Sequence, residues 1–274
     1  MDGEKSAAQK VAPQLIRDVF GVGTSCPGCG EQLGLKIALQ ALGRCILVNS
    51  NGSVSLLAKY PRTSFNVPFV NCGMNAAAAA SAIARAQNRP EVKNPEKVVV
   101  YAGDAATSMH LGDVIAAADR GDNVIYICYN NKGSGSVNHA SRVEKSITKS
   151  VALSCAYAAT ASMAFPDDYA AKLAKSAAMS GFKFIEVLTP CPVSWSFDPS
   201  ITVEVARLAV ETGVWPVFEV ENKKVSLTRR PLRLEPVEKY ISLQKRFSFS
   251  EEEMTAVQEA VKKNYRMLSE GKLA

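Results

Sequence analysis

Four short apolar runs, rich in β-branched residues, alternate along the chain with longer segments of helical spacing, and this alternation restricts the fold more than any other feature. The runs cover 45–48, 98–101, 124–128 and 182–188, and the helical segments cover 31–42, 75–87, 109–120 and 167–179. Each run predicts a strand that is buried on both faces. We therefore predict an α/β fold with a doubly wound, mostly parallel sheet, which binds ligands beyond the carboxyl ends of its strands.

The alternation ends near residue 220, and the composition changes with it. Residues 221–274 hold 12 basic and 8 acidic residues, with an extended basic stretch followed by a helix predicted over 251–268. We predict an α/β domain over 1–220 and a C-terminal arm over 221–274 that contacts other subunits.

Composition excludes several classes of protein. No apolar run reaches the roughly 18 residues needed to span a bilayer, and the first five residues carry acids where a signal peptide would be basic and then apolar. The net charge of +6 is too sparse for a nucleic-acid reader. We expect a cytoplasmic protein that binds neither membrane nor nucleic acid. Two histidines rule out a histidine-rich metal site.

Cys26 and Cys29 form a Cys-Pro-Gly-Cys-Gly motif in a loop before the first predicted helix. Two thiolates at this spacing converge on one metal atom or on one iron–sulfur cluster. The pair alone leaves three interpretations open, namely half a metal site, a redox dithiol and a structural loop. Cys191 is the best further ligand, because it follows a predicted strand directly.

The other four cysteines point to structural roles. Cys45 and Cys128 lie inside apolar runs, and Cys155 lies in an alanine-rich segment, so these three are expected in the core. The role of Cys72, in the sequence Asn-Cys-Gly-Met, is less clearly structural.

A second candidate site follows two of the predicted strands. Gly103, Asp104 and Ala105 link a strand to a helix, and Asn131 ends the next strand. Backbone amides at such a turn face a phosphate, while carboxylate and amide oxygens hold Mg²⁺. Gly-Asp and Asn-Asn are also ordinary turn sequences, and that alternative stays open.

These motifs together resemble the β subunit of 2-oxoacid:ferredoxin oxidoreductases, closest to the pyruvate synthase type. The resemblance covers nearly the whole chain and rests on Cys26-Pro-Gly-Cys29-Gly, Gly103-Asp104 with Asn131 27 residues after the aspartate, the run 127–131, Ala159-Thr-Ala-Ser162, Pro190-Cys191-Pro192 and the late segment 236–247.

The resemblance implies the diphosphate-binding half of a thiamine diphosphate site and a [4Fe–4S] cluster beside it. Partner subunits of the alpha, gamma and delta types would supply the pyrimidine-binding half. In enzymes of this family, the thiamine carbanion attacks a 2-oxoacid, CO₂ leaves, electrons pass singly to ferredoxin, and coenzyme A usually takes the acyl group.

Site residues follow from the same resemblance. Asp104, Asn131 and the carbonyl of Gly133 would bind Mg²⁺, with Gly103 and Ala105 in the same cofactor-binding loops. Cys26, Cys29 and Cys191 would bind the cluster.

The chain departs from the family pattern at three places. Ser53 stands where the family has its fourth cluster cysteine, so the cluster is expected to be serine-ligated, completed by Cys72 or Cys45, or absent. Ala105 replaces a glycine of the diphosphate motif. The loop after Asn131 differs and carries His139, a candidate acid, base or substrate contact that is otherwise a solvent-exposed histidine.

Three alternatives to a 2-oxoacid oxidoreductase subunit stay open. One is a non-catalytic or reassigned structural subunit of such a complex that lacks cofactor or cluster. The others are a non-redox thiamine enzyme and a small zinc protein, and the absence of a second close cysteine pair counts against zinc.

Overall fold

The computed structural model of the chain describes residues 25–50, 52–58, 63–131 and 146–273. Its strands are β1 (Cys45–Asn49), β2 (Phe69–Asn71), β3 (Lys97–Gly103), β4 (Val124–Asn130), β5 (Tyr157–Ser162), β6 (Lys183–Leu188), β7 (Phe218–Glu221) and β8 (Lys224–Leu227). Its α-helices are α1 (Gly30–Leu42), α2 (Ala76–Gln87), α3 (Asp104–Met109), α4 (Leu111–Asp119), α5 (Ile147–Val151), α6 (Pro166–Ala178), α7 (Pro192–Trp195), α8 (Thr202–Glu211), α9 (Val237–Ile241) and α10 (Glu251–Ser269). Short 3₁₀ helices cover Ser53–Ala58 and Pro199–Ile201.

All eight strands form one sheet in the order β2-β1-β3-β4-β6-β5-β7-β8. The six strands from β2 to β5 in this order run parallel, and β7 and β8 add an antiparallel pair at one edge. The four apolar runs of the sequence are β1, β3, β4 and β6. The predicted mostly parallel α/β fold is confirmed.

Helices cover both faces of the sheet. Apolar side chains of α1, α6 and α8 fill the core on one face, which also contains Tyr101 and Tyr129. Side chains of α2, α4 and α10 fill the core on the other face, where Tyr126 and Cys128 lie. The central strands are buried on both sides, which is why their sequences read as continuous apolar runs.

The carboxyl ends of β1 and β3 form a topological switch point. After β1 the chain turns to β2 on one side, and after β3 it turns to β4 on the other side. Connections that leave in opposite directions open a crevice between the two strand ends, where doubly wound sheets bind their ligands. The segments that begin with Ser50 and Asp104 border this crevice.

The C-terminal segment packs on the same sheet. The predicted boundary at 220/221 falls inside β7, and β8 pairs with β7. Leu268 of α10 is buried in the core, and a reciprocal capping box of Ser250 and Glu253 begins that helix. Among the described residues, no helix combines the length and the apolar composition needed to cross a bilayer.

A buried lysine joins α6 to the antiparallel edge. Lys172, 3% exposed, donates to Asp168 Oδ2 at 2.6 Å, to the Thr160 carbonyl at 2.8 Å and to Thr228 Oγ1 at 2.8 Å. Burial lowers the pKa of Lys172, and the Asp168 carboxylate opposes that shift. Three acceptors therefore match the three donors of the ammonium group.

Removing Asp168, the buried partner of Lys172, should destabilise the protein much more than removing its exposed neighbour Asp167. We expect Asp168→Ala to lower the free energy of unfolding by about 3 kcal/mol, because it leaves a buried charge unpaired. Asp167→Ala breaks only an exposed pair with Arg229 and should cost less than about 1 kcal/mol. Adding Lys172→Met to Asp168→Ala should recover stability. Urea unfolding followed by circular dichroism measures all three, and equal losses in the two aspartate variants would contradict this account.

Candidate active site

Asp104 and Asn131 lie at the tips of neighbouring strands, as their order in the sequence predicts. β3 and β4 are paired in parallel, with Gly103 opposite Tyr129. Asp104 begins α3 and is 5% exposed, and Asn131 follows β4 directly. Gly133 and His139 lie outside the described residues.

Glu31 connects the strand tips, although the sequence analysis did not single it out. Its Oε1 accepts a hydrogen bond from Asn131 Nδ2, and its Oε2 accepts one from the Ser53 hydroxyl. Because the amide nitrogen of Asn131 is bound to Glu31, its Oδ1 remains as the oxygen that can face a cation. Glu31 thus orients Asn131 and ties it to the segment after β1.

Burial raises the pKa of Glu31, the hydrogen bonds from Ser53 and Asn131 oppose that rise, and the negative charge of Asp104 adds to it. Two carboxylates therefore stand close enough to repel each other at this edge. A divalent cation between them would remove the repulsion, and carboxylate and amide oxygens are the ligands that Mg²⁺ prefers. The donor set fits the predicted magnesium site.

Two stacked tyrosines form the floor beneath Glu31. The Tyr101 hydroxyl donates to the backbone carbonyl of Glu31 at 2.9 Å, and the rings of Tyr101 and Tyr129 lie 5.0 Å apart. Gly52 lies close to Tyr129, and a Cβ at this position would lie 2.5 Å from the tyrosine hydroxyl oxygen, so that a larger residue would force one of the two to shift. Tyr101 therefore contacts α1, and Tyr129 contacts the segment after β1.

Ala105 occupies the second position of α3, and its φ is not positive. Glycine is needed only where φ is positive or where a Cβ has no room. Alanine therefore adopts the backbone conformation at position 105 without strain, although the family motif has glycine there.

The Cys26–Cys29 turn packs against the segment that carries Cys191. Gly28, with φ +65°, lets the turn close with the Cys29 amide 3.2 Å from the Cys26 carbonyl. A Cβ on Gly30 would lie 2.5 Å from the carbonyl oxygen of Pro190. Glycine at position 30 therefore allows the two backbones that carry Cys29 and Cys191 to meet.

Burial raises the pKa of the Cys29 thiol to about 11, and the nearby Cys191 adds to that rise. The Ser194 amide lies 3.5 Å from the Cys191 sulfur, which is the contact that a metal-bound thiolate accepts. Cys26 is exposed on its turn. Across the residues placed in the structure, no three cysteine, histidine or acidic side chains are grouped as a metal site.

The four remaining cysteines lie elsewhere. Cys45 is buried at the start of β1, about 13 Å from the carboxyl end of that strand. Cys72 donates to the Asn49 carbonyl at 3.1 Å and packs with Cys128 and Cys155 on the face of the sheet opposite to Glu31. The expected core positions of Cys45 and Cys128 match the structure, and Cys155 is partly buried against that core.

Trp195 is a second residue that the sequence analysis missed. Its indole nitrogen donates to the Asn131 carbonyl at 2.6 Å, and its own backbone amide binds the Cys191 carbonyl at 2.9 Å. The Arg246 guanidinium lies 3.7 Å from the indole ring centroid, so the C-terminal segment covers this contact. The sequence offered one signal for each missed residue. Trp195 lies four residues after the candidate ligand Cys191, and Glu31 is an acid two residues after Cys29.

Comparisons with known proteins show the family of this chain. Residues 50–190 match the model of the thiamine pyrophosphate enzyme, C-terminal TPP binding domain. The chain is 36% identical to the pyruvate synthase subunit PorB of Methanothermobacter marburgensis over 265 residues, covering 86% of this chain and 92% of that one. It is 28% identical to the ketoisovalerate oxidoreductase subunit VorB of Pyrococcus abyssi, covering 98% and 97%.

A solved structure shares the fold. The 2-oxoglutarate:ferredoxin oxidoreductase from Magnetococcus marinus, with 2-oxoglutarate, coenzyme A and succinyl-CoA bound, aligns with a TM-score of 0.51 and 17% identity, covering 74% of this chain and 82% of that chain. On the domain match and the identity to the PorB subunits, the chain belongs to the family of thiamine diphosphate-binding β subunits of 2-oxoacid:ferredoxin oxidoreductases.

Proposed function

We propose that this chain is the diphosphate-binding subunit of an enzyme that oxidatively decarboxylates a 2-oxoacid and passes the electrons to ferredoxin. The observation that carries the proposal is the meeting of Asp104, Asn131 and Glu31 at the switch point of the sheet, next to the Cys29 and Cys191 loops. Relatives named for pyruvate and for ketoisovalerate support the substrate class and leave the particular 2-oxoacid open.

Asp104 and Asn131, with the Gly133 carbonyl, would hold Mg²⁺ against the diphosphate of the cofactor. When bound, thiamine diphosphate supplies the carbanion that attacks the 2-oxo carbon and allows CO₂ to leave. This chain would bind the cofactor and orient it. Glu31 sets the rotation of the Asn131 amide, and Trp195 holds the Asn131 carbonyl from the other side.

Cys26, Cys29 and Cys191 would hold a [4Fe–4S] cluster beside the cofactor. Soft thiolates suit iron, and two of the three sulfurs already belong to packed backbone segments. The cluster would accept electrons from the cofactor one at a time and pass them toward ferredoxin.

Partner subunits would complete the site. The relatives are themselves named as subunits, which supports assembly with further chains. We assign the subunit contact to residues 221–274, where Leu232 is fully exposed between basic residues. Coenzyme A would accept the acyl group in the assembled enzyme.

Cofactor and metal analysis of the intact complex tests the proposal. We expect thiamine diphosphate, magnesium and iron in stoichiometric amounts. A complex with neither thiamine diphosphate nor iron would instead indicate a structural subunit, and the cofactor without iron would indicate a non-redox thiamine enzyme.

Asp104→Asn should weaken binding of thiamine diphosphate in the presence of Mg²⁺ by about 10-fold or more, because it removes the charged metal ligand. Asp113→Asn is the matched control, since Asp113 is also in the first turn of a helix but binds Asn75 at the surface. Isothermal titration calorimetry of the intact complex measures both. Equal affinities in the two variants would remove Asp104 from the site.

Cys191→Ala and Cys26→Ala should each lower the iron content of the complex. Cys128→Ala should leave iron unchanged and lower only the stability, because Cys128 is buried on the opposite face of the sheet. Iron analysis and thermal unfolding separate the two effects. Full iron content in both of the first variants would refute the ligand assignment.

A further inference from the structure

A second buried glutamate, Glu186 of β6, lies close to the tip of β4. It is fully buried and stands opposite Cys128 in the pairing of the two strands. Its Oε1 accepts a hydrogen bond from Asn130 Nδ2 at 2.8 Å. Its Oε2 accepts from the Thr148 amide at 3.0 Å, from the Thr148 hydroxyl at 2.8 Å and from the Ser146 hydroxyl. Four donors therefore converge on one carboxylate, which is about the number that two oxygens can accept.

These contacts tie the end of β4 to the start of α5. Asn130 is the last residue of β4, Ser146 directly precedes α5, and Thr148 is in the first turn of that helix. The Ser146 side chain makes no capping hydrogen bond, so Glu186 satisfies a first-turn amide that the helix itself leaves without an acceptor. One carboxylate on the neighbouring strand therefore holds both elements.

Asn130 and Asn131 are held from opposite faces of the sheet. Side chains alternate between the two faces along a strand. Cys128 lies in the core on one face and Tyr129 in the core on the other, so Asn130 is on the face of Cys128. Glu31, on the face of Tyr129, binds the Asn131 amide. The tip of β4 thus has a buried carboxylate partner on each side.

The backbone at this tip is attached as well. The Thr189 amide donates to the Asn130 carbonyl at 2.9 Å. With its side chain bound to Glu186, Asn130 is attached to the β6 strand and its continuation at two points. Asn131 follows directly, so a shift of Asn130 would move the backbone from which the Asn131 side chain projects.

We propose that Glu186 is a positioning residue for the magnesium site at the tips of β3 and β4. It acts through Asn130, because the hydrogen bond between the two side chains holds the end of β4, and the end of β4 places Asn131, the expected Mg²⁺ ligand. The inference rests on the proposed function and adds to it a residue on a third strand that sets the geometry of one ligand.

The test uses the intact complex as wild type and as the variants Glu186→Gln, Asn130→Ala, the two combined, and Thr160→Val. Glu186→Gln keeps the size of the side chain but replaces one acceptor oxygen by a donor. Asn130→Ala keeps the carboxylate charge and removes the side chain that binds it. Equilibrium dialysis gives the Mg²⁺ concentration at which thiamine diphosphate binding is half-maximal, and thermal unfolding of the metal-free complex gives stability.

Thr160→Val is the matched control. Thr160 is buried and stands opposite Glu186 in the pairing of β5 with β6. Its hydroxyl donates to the Pro216 carbonyl at 2.7 Å and accepts from the Phe218 amide at 2.9 Å. The variant removes two buried hydrogen bonds at the same level of the sheet, on the side away from β4.

We expect Glu186→Gln and Asn130→Ala each to raise the required Mg²⁺ concentration by about 10-fold, since partners that hold a metal ligand commonly change metal affinity by this much or more. The combined variant should show no greater rise than the larger single one, because both changes remove the same contact. Thr160→Val should lower the unfolding temperature and leave the Mg²⁺ requirement within about 2-fold of wild type.

An unchanged Mg²⁺ requirement in Glu186→Gln would overturn the proposal, and so would a rise there with none in Asn130→Ala, which would point to the carboxylate charge alone. Additive rises in the combined variant, or an equal rise in Thr160→Val, would overturn it as well. If Glu186→Gln fails to assemble, the comparison of Asn130→Ala with Thr160→Val decides. The proposed function fails by a different result, namely wild-type complex that binds no thiamine diphosphate at any Mg²⁺ concentration.

Discussion

The carboxylate of Glu31 is the contact on which the candidate site depends. Its two oxygens bind the Ser53 hydroxyl after β1 and the Asn131 amide after β4, so one side chain spans the switch point of the sheet. Glu31 is fixed in turn from below, because the Tyr101 hydroxyl binds its backbone carbonyl. A charged group that is buried and satisfied in this way is costly to move. The position of the Asn131 side chain therefore depends on α1 as well as on the strand tips.

α7 couples the cysteine side of the site to the same asparagine. Cys191 precedes this short helix and Trp195 ends it, and the indole of Trp195 holds the Asn131 carbonyl. Glu31 binds the side chain of Asn131, and Trp195 binds its backbone carbonyl. Each of these partners lies close in sequence to a candidate cluster ligand, because Glu31 is two residues after Cys29 and Trp195 is four residues after Cys191. Arg246 stacks on that indole, so the C-terminal segment contributes to the order of the site from outside the sheet.

The sequence was sufficient for the parts of the fold that depend on local patterns. β1, β3, β4 and β6 are apolar on both faces and were predicted. The position of Asp104 and Asn131 at the tips of neighbouring strands was predicted as well, because consecutive parallel strands often pair. β5 was missed because Tyr157–Ser162 consists mainly of small residues that carry no strand signal. Glu31 and Trp195 were missed for a different reason. Their importance comes from partners about 100 and 64 residues away in the chain, which no local pattern records.

The side chain at position 53 is part of the contacts that hold Asn131, because the Ser53 hydroxyl donates to Glu31, which in turn accepts from the Asn131 amide. A hydroxyl donates strongly to a carboxylate and keeps its proton in doing so, whereas a thiol is a weak donor and binds iron only as a thiolate. A thiolate next to Glu31 would repel the carboxylate. With serine, a neutral donor binds Glu31 at the edge where the charge of Asp104 already raises the pKa of Glu31. The departure from the family pattern at Ser53 is therefore consistent with the contacts around it.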